Sequence, residues 1–112
     1  MPAITDSVTF DVIAREWRCK WSAEEEKKSL ESAQQLLANK LPELKAIAGV
    51  KNVQRVVCGA CLDFKVVTAV DADKFGDFEK GGFCGESAFL EELKKIPGIT
   101  TVETQTYTLM TM

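Results

Sequence analysis

The sequence predicts an α+β fold of element order βαββαβ: a four-stranded antiparallel sheet with two helices on one face and the other face uncovered. Three observations predict it. Two strand-type runs, 53–57 and 64–70, flank a turn made of Cys58-Gly59-Ala60-Cys61-Leu62-Asp63. Two helical patterns separate this hairpin from strands before and after it. The second helical pattern is stopped by Ile96-Pro97-Gly98-Ile99, and a threonine-rich strand follows over 100–109.

Residues 8–21 contain the first strand. Val8, Phe10, Val12 and Ala14 alternate with Thr9, Asp11, Ile13 and Arg15. Ile13 and Trp17 make the second face apolar as well, which predicts cover on both sides. A helix starts at Ser22. Ser22-Ala23-Glu24-Glu25 reads as a capping box, with Ser22 capping a free backbone N–H and Glu25 reaching back to the helix start. The trio Glu24, Glu25 and Glu26 suits the positive end of the helix dipole. Leu30, Ala33, Leu37 and Leu41 recur at three- and four-residue steps and predict one buried stripe. Pro42 lacks an N–H and crowds the preceding turn, so a break is expected over 39–41. A short turn through 43–48 would follow, with Gly49 as the stop.

The loop between the hairpin strands exceeds two residues, which predicts a bulge or a wider turn. Asp73 is the expected cap of the second helical region. Residues 74–80 form about two turns burying Phe75 and Phe78, and Gly81-Gly82 interrupts them. The helix resumes over 86–95, with Phe89, Leu90 and Leu93 inward. In the last strand Thr100, Val102, Thr104, Thr106 and Thr108 share one face. Thr101, Glu103, Gln105, Tyr107 and Leu109 share the other.

With 112 residues the chain is expected to form one domain, 1–112. Its net charge is −3 and its Lys and Arg are scattered, so it lacks the basic footprint of a nucleic-acid binder. No apolar run approaches the roughly 18 residues that would span a bilayer. Residues 1–6 carry neither a basic nor an apolar stretch, so no secretory signal is read and a cytoplasmic location is expected. For such a location the four cysteines, at 19, 58, 61 and 84, are expected as free thiols.

Cys58-Gly59-Ala60-Cys61 is the sharpest chemical candidate. A dithiol redox pair needs a helix dipole to activate one thiol, yet a strand follows. Zinc needs four ligands, and no second spaced pair exists. A plain hairpin turn is the third reading. Cys84 lies in Gly81-Gly82-Phe83-Cys84-Gly85, where three glycines either let a backbone approach a ligand or simply break a helix. Trp17 can line an apolar pocket, with Arg15 or Arg18 on an anionic group, or pack as core. Tyr107 offers a polar handle in a cleft or an interface aromatic. Without histidine, no Ser-His or Cys-His pair exists.

The chain resembles the dimeric α/β-barrel group, ferredoxin-like monomers that pair sheet to sheet. Leu41-Pro42-Glu43-Leu44-Lys45-Ala46-Ile47-Ala48-Gly49-Val50 is similar to the stress-responsive A/B-barrel proteins. So is a short helix, a break and a longer helix over 75–93. Gly59, Asp63 and Ile96-Pro97-Gly98-Ile99 are similar to the ligand-binding module of the leucine-responsive regulators, with one extra residue between Gly59 and Asp63. Two departures matter. No helix-turn-helix precedes the first strand, and the absence of histidine removes a His-dependent cyclase or haem-ligating mechanism.

The resemblance implies a small homodimer that hides an apolar sheet face against a second copy. It implies a small, largely apolar ligand in a cleft between sheet and helices, with no cofactor and no metal. The alternatives are a cofactor-free enzyme of the cyclase or monooxygenase type, or a stand-alone amino-acid-sensing module. The residues expected at the ligand are Arg15, Trp17, Gly59, Asp63, Cys84 and Tyr107.

Overall fold

The computed structural model describes residues 1–112. Its centre is a four-stranded antiparallel sheet of order β4-β5-β3-β6, built from β3 (Val12–Lys20), β4 (Val50–Cys58), β5 (Asp63–Asp71) and β6 (Thr100–Leu109). Between them run α1 (Glu24–Lys45), α2 (Phe75–Lys80) and α3 (Gly82–Lys94). The βαββαβ order is therefore present, with β4 and β6 at the sheet edges. The sequence reading did not separate a small hairpin at the start, β1 (Ala3–Thr5) paired with β2 (Val8–Thr9). Val8 belongs to this hairpin, and the first sheet strand starts only at Val12.

Pleating divides β3 into two faces. Ile13, Arg15, Trp17 and Cys19 point toward the helices. There Trp17, Cys19 and Trp21 join Phe64 and Val66 of β5 and Ala33, Leu37, Leu44, Phe89 and Leu93 of the helices in the main core. A smaller cluster holds Val70, Phe75 and Phe78, with Ile13 packed against it. Helix α1 lies against α3 and over β4 and β5, whereas β6 packs chiefly against α3. This leaves the helix-side face of β6 thinly covered.

The other face of the sheet differs from the bare apolar surface expected. Val12, Ala14, Val67 and Ala69 make an apolar stretch at one end, next to a groove of about 370 Å³ that includes Leu109 and Met110. Toward the other end the same face carries Glu16, Arg18, Lys20, Asp63, Lys65 and Glu103. Hydrophobic alternation reports that a strand has two faces; it does not report that the polar members of one face pair with each other across strands.

Helix ends depart from expectation in several places. Ser22 Oγ accepts from the Glu24 N–H at 3.1 Å, and Glu25, Glu26 and Lys27 adopt left-handed angles, so the Ser22–Glu25 capping box does not form. The Ser29 hydroxyl instead accepts the Ser22 N–H at 2.9 Å, tying the helix start to its own second turn. Pro42 does not break α1. It sits in the last turn, where its missing N–H costs one ladder bond and its carbonyl still accepts the Ala46 N–H. The helix stops at Lys45, before Gly49. Gly49 turns into β4 with φ +90°, and a side chain there would meet Lys74. Lys74, without a side-chain cap bond, occupies the place expected for Asp73 at the start of α2. The break at Gly81 is present, but α3 resumes at Gly82 through three left-handed residues, Phe83, Cys84 and Gly85.

The hairpin turn brings Cys58 and Cys61 to a Cα separation of 5.5 Å, within the span a disulfide bridges, and their sulfurs are joined. The expectation of four free thiols is corrected: Cys19 and Cys84 are the free ones. Turn closure, rather than compartment chemistry, places the pair together.

Candidate functional site

Two of the expected residues meet on the helix side of β3. Arg15 and Trp17, two positions apart, project from the same face toward α3. Glu86 enters from α3, just past the left-handed turn, and its carboxylate takes both. Arg15 Nε and Nη2 donate to Glu86 Oε2 and Oε1 at 2.7 and 2.8 Å, a bidentate pair, and Trp17 Nε1 donates to Oε2 at 2.7 Å. Arg15 also donates from Nη1 to Thr106 Oγ1 at 2.9 Å and from Nη2 to Thr104 Oγ1 at 3.0 Å. The Phe83 ring lies over the guanidinium, 4.2 Å from Cζ to its centroid. Phe89 packs against Trp17 at 4.6 Å between ring centroids.

Only 16% of the Arg15 side chain and 13% of the Glu86 side chain are exposed, so this ion pair is largely withdrawn from water. Bonding to Glu86 holds the Arg15 guanidinium above its ordinary pKa, against the opposing effect of burial. Four of the five guanidinium N–H groups are engaged by these bonds. The fifth is on Nη1, beside exposed Thr106 on an edge strand. The cluster can therefore present one fixed N–H and two hydroxyls to an oxygen acceptor, beside Phe83.

Cys84 sits next to this cluster, in the left-handed turn that carries Phe83, and packs against both cores. Burial pushes its thiol pKa up, with the Lys40 charge opposing, so it is not an activated nucleophile. The other expected residues lie elsewhere. Tyr107 is on the opposite face of the sheet, where its hydroxyl donates to Glu16 Oε1 at 3.0 Å. Arg18 Nη1 donates to Glu16 Oε2 and to Gln105 Oε1, both at 3.1 Å, so the buried Glu16 carboxylate is paired on both oxygens. Burial first and the Glu16 bond second push the Tyr107 hydroxyl up to about 12.

Gly59 and Asp63 lie in the hairpin turn, where Asp63 pairs with Lys20 across the strands. The Lys20 bond holds the Asp63 carboxyl below its usual range. Lys20 lies five residue steps along the strand from Arg15, about 17 Å at roughly 3.4 Å per step. The turn and the Arg15 cluster are thus separate places. The sequence reading missed Glu86, Phe83, Thr104 and Thr106 as partners of Arg15. The shared face of Thr104 and Thr106 was readable, and so was Glu86 as the first charge after the glycine break. Their meeting with a residue about 70 to 90 positions earlier was not. No three Cys, Asp or Glu side chains gather in a group suited to a metal ion.

No family model matches the chain. No curated protein matches it in sequence. Its fold does match solved structures. A Streptomyces coelicolor monooxygenase from ActVA-Orf6, solved with the ligand Nanaomycin D, superposes with TM-score 0.67 over 92% of this chain and 90% of its own, at 10% identity. A Deinococcus radiodurans protein assigned to the antibiotic biosynthesis monooxygenases gives TM-score 0.67 over 89% and 94%, at 13% identity. A point mutant of SnoaB from Streptomyces nogalater, a cofactor-independent oxygenase, gives 0.59 over 91% and 96%, at 12% identity. The chain shares the ferredoxin-like α+β fold of these structures. At these identities the likeness is one of fold. In this fold the Arg15 cluster occupies the space between sheet and helices. No helix of the chain is long and apolar enough to cross a membrane.

Proposed function

We propose that this protein is a homodimeric barrel that binds a small, largely apolar molecule carrying an oxygen acceptor, where β3 and β6 meet α3. The observation that carries this reading is the Arg15 guanidinium, clamped by Glu86 under Phe83, with one N–H unspent at a thinly covered edge strand. An apolar body suits the half-buried Phe83, with the buried Trp17 and Phe89 packed behind the cluster, and an oxygen suits the Arg15 N–H and the Thr106 hydroxyl. Few oriented polar groups among aromatic walls is the usual make-up of a small-molecule site. Arg15 and Trp17 are the ligand residues of this reading, with Cys84 at the margin. The second copy would cover the open sheet face, where Val12, Ala14, Val67 and Ala69 form the apolar stretch; about 800 Å² from each partner makes a standard interface.

A second reading, a cofactor-independent oxygenase working in the same cleft, is favoured by the nature of the solved neighbours. Calorimetry with 1-naphthol, a flat apolar probe with one oxygen, tests the binding. The melting temperature is expected to rise at millimolar probe, and Arg15→Lys, which keeps the charge but loses the fork, should weaken binding about tenfold. No shift in the wild type, or equal shifts in both proteins, refutes this site. Oxygen uptake on adding 1-naphthol, without metal or flavin, favours the oxygenase; binding without uptake favours the plain binder. Light scattering that finds a monomer refutes the dimer.

A further inference from the structure

The turn at residues 58–63 holds chemistry that the cleft does not use. Cys58 and Cys61 are joined there, Cys58 half-buried and Cys61 exposed. The Cys61 N–H points at Cys58 Sγ at 3.1 Å, and Asp63 Oδ2 lies 3.4 Å from Cys61 Sγ. The same turn is stitched to the end of β3. Lys20 Nζ donates to the Cys61 carbonyl at 2.9 Å, the Trp21 N–H to the Leu62 carbonyl at 2.9 Å, and Trp21 Nε1 to the Asp63 carbonyl at 3.1 Å. Leu62, at φ +61°, is a left-handed residue between the disulfide and these carbonyls, and its side chain packs against the main core. Trp21 is itself buried in that core, at 4% exposure.

We infer that this turn is a reversible thiol–disulfide site for low-molecular-weight thiols and disulfides of the glutathione class, and that its redox state is read by Trp21 through Leu62 and Asp63. An incoming thiolate meets the exposed Cys61 sulfur. The new S–S bond forms there as the Cys58–Cys61 bond breaks, and the electron pair leaves on Cys58, where the Cys61 N–H faces the thiolate. A second thiolate attacks the outer sulfur of the mixed disulfide, releases the oxidised low-molecular-weight disulfide, and leaves Cys61 to take a proton. In sum, two thiols are oxidised to one disulfide while the protein disulfide is reduced to a dithiol. An external disulfide reverses each step. With the bridge open, residues 58–61 lose their short closed ring, and the left-handed Leu62 loses the constraint on one side. The carbonyls of Leu62 and Asp63 then shift against Trp21.

The test uses the full chain in glutathione buffers from fully oxidised to fully reduced, quenched with acid, unfolded and alkylated. Mass spectrometry is expected to count two alkylated cysteines at the oxidised end, Cys19 and Cys84, and four at the reduced end. The Trp21 indole N–H resonance, assigned with Trp21→Phe, is expected to move between two positions with the same midpoint. The double variant Cys58→Ser/Cys61→Ser should stay at two thiols and one resonance position across the series. Four free thiols at every ratio, or disulfides between chains in place of the two-thiol species, would overturn the exchange site. A changing thiol count with an unmoved Trp21 resonance would overturn its link to Trp21.

Discussion

Truncating Glu86 separates a structural ion pair from a surface one. Glu86→Ala removes the acceptor of three N–H bonds, two from Arg15 and one from Trp17. Exposed pairs are worth about 0–1 kcal/mol, whereas stranding one member of a fully buried pair costs about 3–5 kcal/mol. Here both side chains are mostly but not wholly covered, at 16% and 13% exposure. Arg15 also keeps Thr104 and Thr106, and can draw water at the β6 edge. The cost should therefore fall between those limits, about 2 kcal/mol, which for a domain of this size lowers the melting temperature by about 8 °C. Arg15→Met keeps the aliphatic stem and should cost a similar amount, because Glu86 is left with Trp17 alone. The double variant Arg15→Met/Glu86→Leu strands no charge and should lie within about 1 kcal/mol of wild type. Urea unfolding at one fixed protein concentration closes the cycle. A coupling below about 0.5 kcal/mol would refute the claim that the two residues act as one unit.

Tyr107 is the only tyrosine, so tyrosinate absorbance reports it alone. Burial and Glu16 favour the neutral phenol, so the folded protein should titrate near 12 and the urea-unfolded chain near 10. Its contribution to stability is complete below about pH 10 and lost as pH rises toward 12; a native midpoint at 10 contradicts this. Gly49→Ala should cost about 2 kcal/mol, from a left-handed residue whose new side chain meets Lys74. A melting temperature within 2 °C of wild type, against an expected fall of roughly 8 °C, would mean the turn relaxes freely.

The sequence announced what depends on local pattern. Strand β6 runs over Thr100–Leu109 as read, with Thr104 and Thr106 on one face and Tyr107 on the other. Phe75, Phe78, Phe89 and Leu93 are buried as their helical spacing implies. The glycine break at Gly81 is where composition put it. Expectations that rested on a single residue's habit fared worse. Ser22 had another use, as an acceptor for Glu24, and Pro42 fell close enough to the helix end to lose little. The opening hairpin went unread because Ala3, Ile4 and Thr5 are all exposed and leave no alternation. Within the cluster, Arg15 and Trp17 were legible as an unusual pair on a strand, but Glu86 was not: a carboxylate on an amphipathic helix looks solvated until the tertiary fold aims it inward. The wholly apolar character expected of the open face was wrong for the same reason, since Glu16, beside Arg18 on its own strand, meets Tyr107 only after β3 and β6 align.

Those two arrangements share one strand. Alternate residues of β3 feed opposite faces, Arg15 and Trp17 toward the helices and Glu16 and Arg18 away from them. A one-residue slip of β3 against β5 and β6 would put Glu16 into the aromatic core and Arg15 onto the open face. It would strand both charges from their partners. The paired charges are thus an argument for unique register as much as for stability. They also constrain any partner on the open face. A second copy packed there must accommodate Glu16, already satisfied by Tyr107 and Arg18, without asking it for further bonds, and can bury Val12, Val67 and Leu109 beside it. The apolar stretch would then supply the association energy and the Glu16 group the alignment, while the Arg15 cluster on the other side of the strand is left free for a ligand.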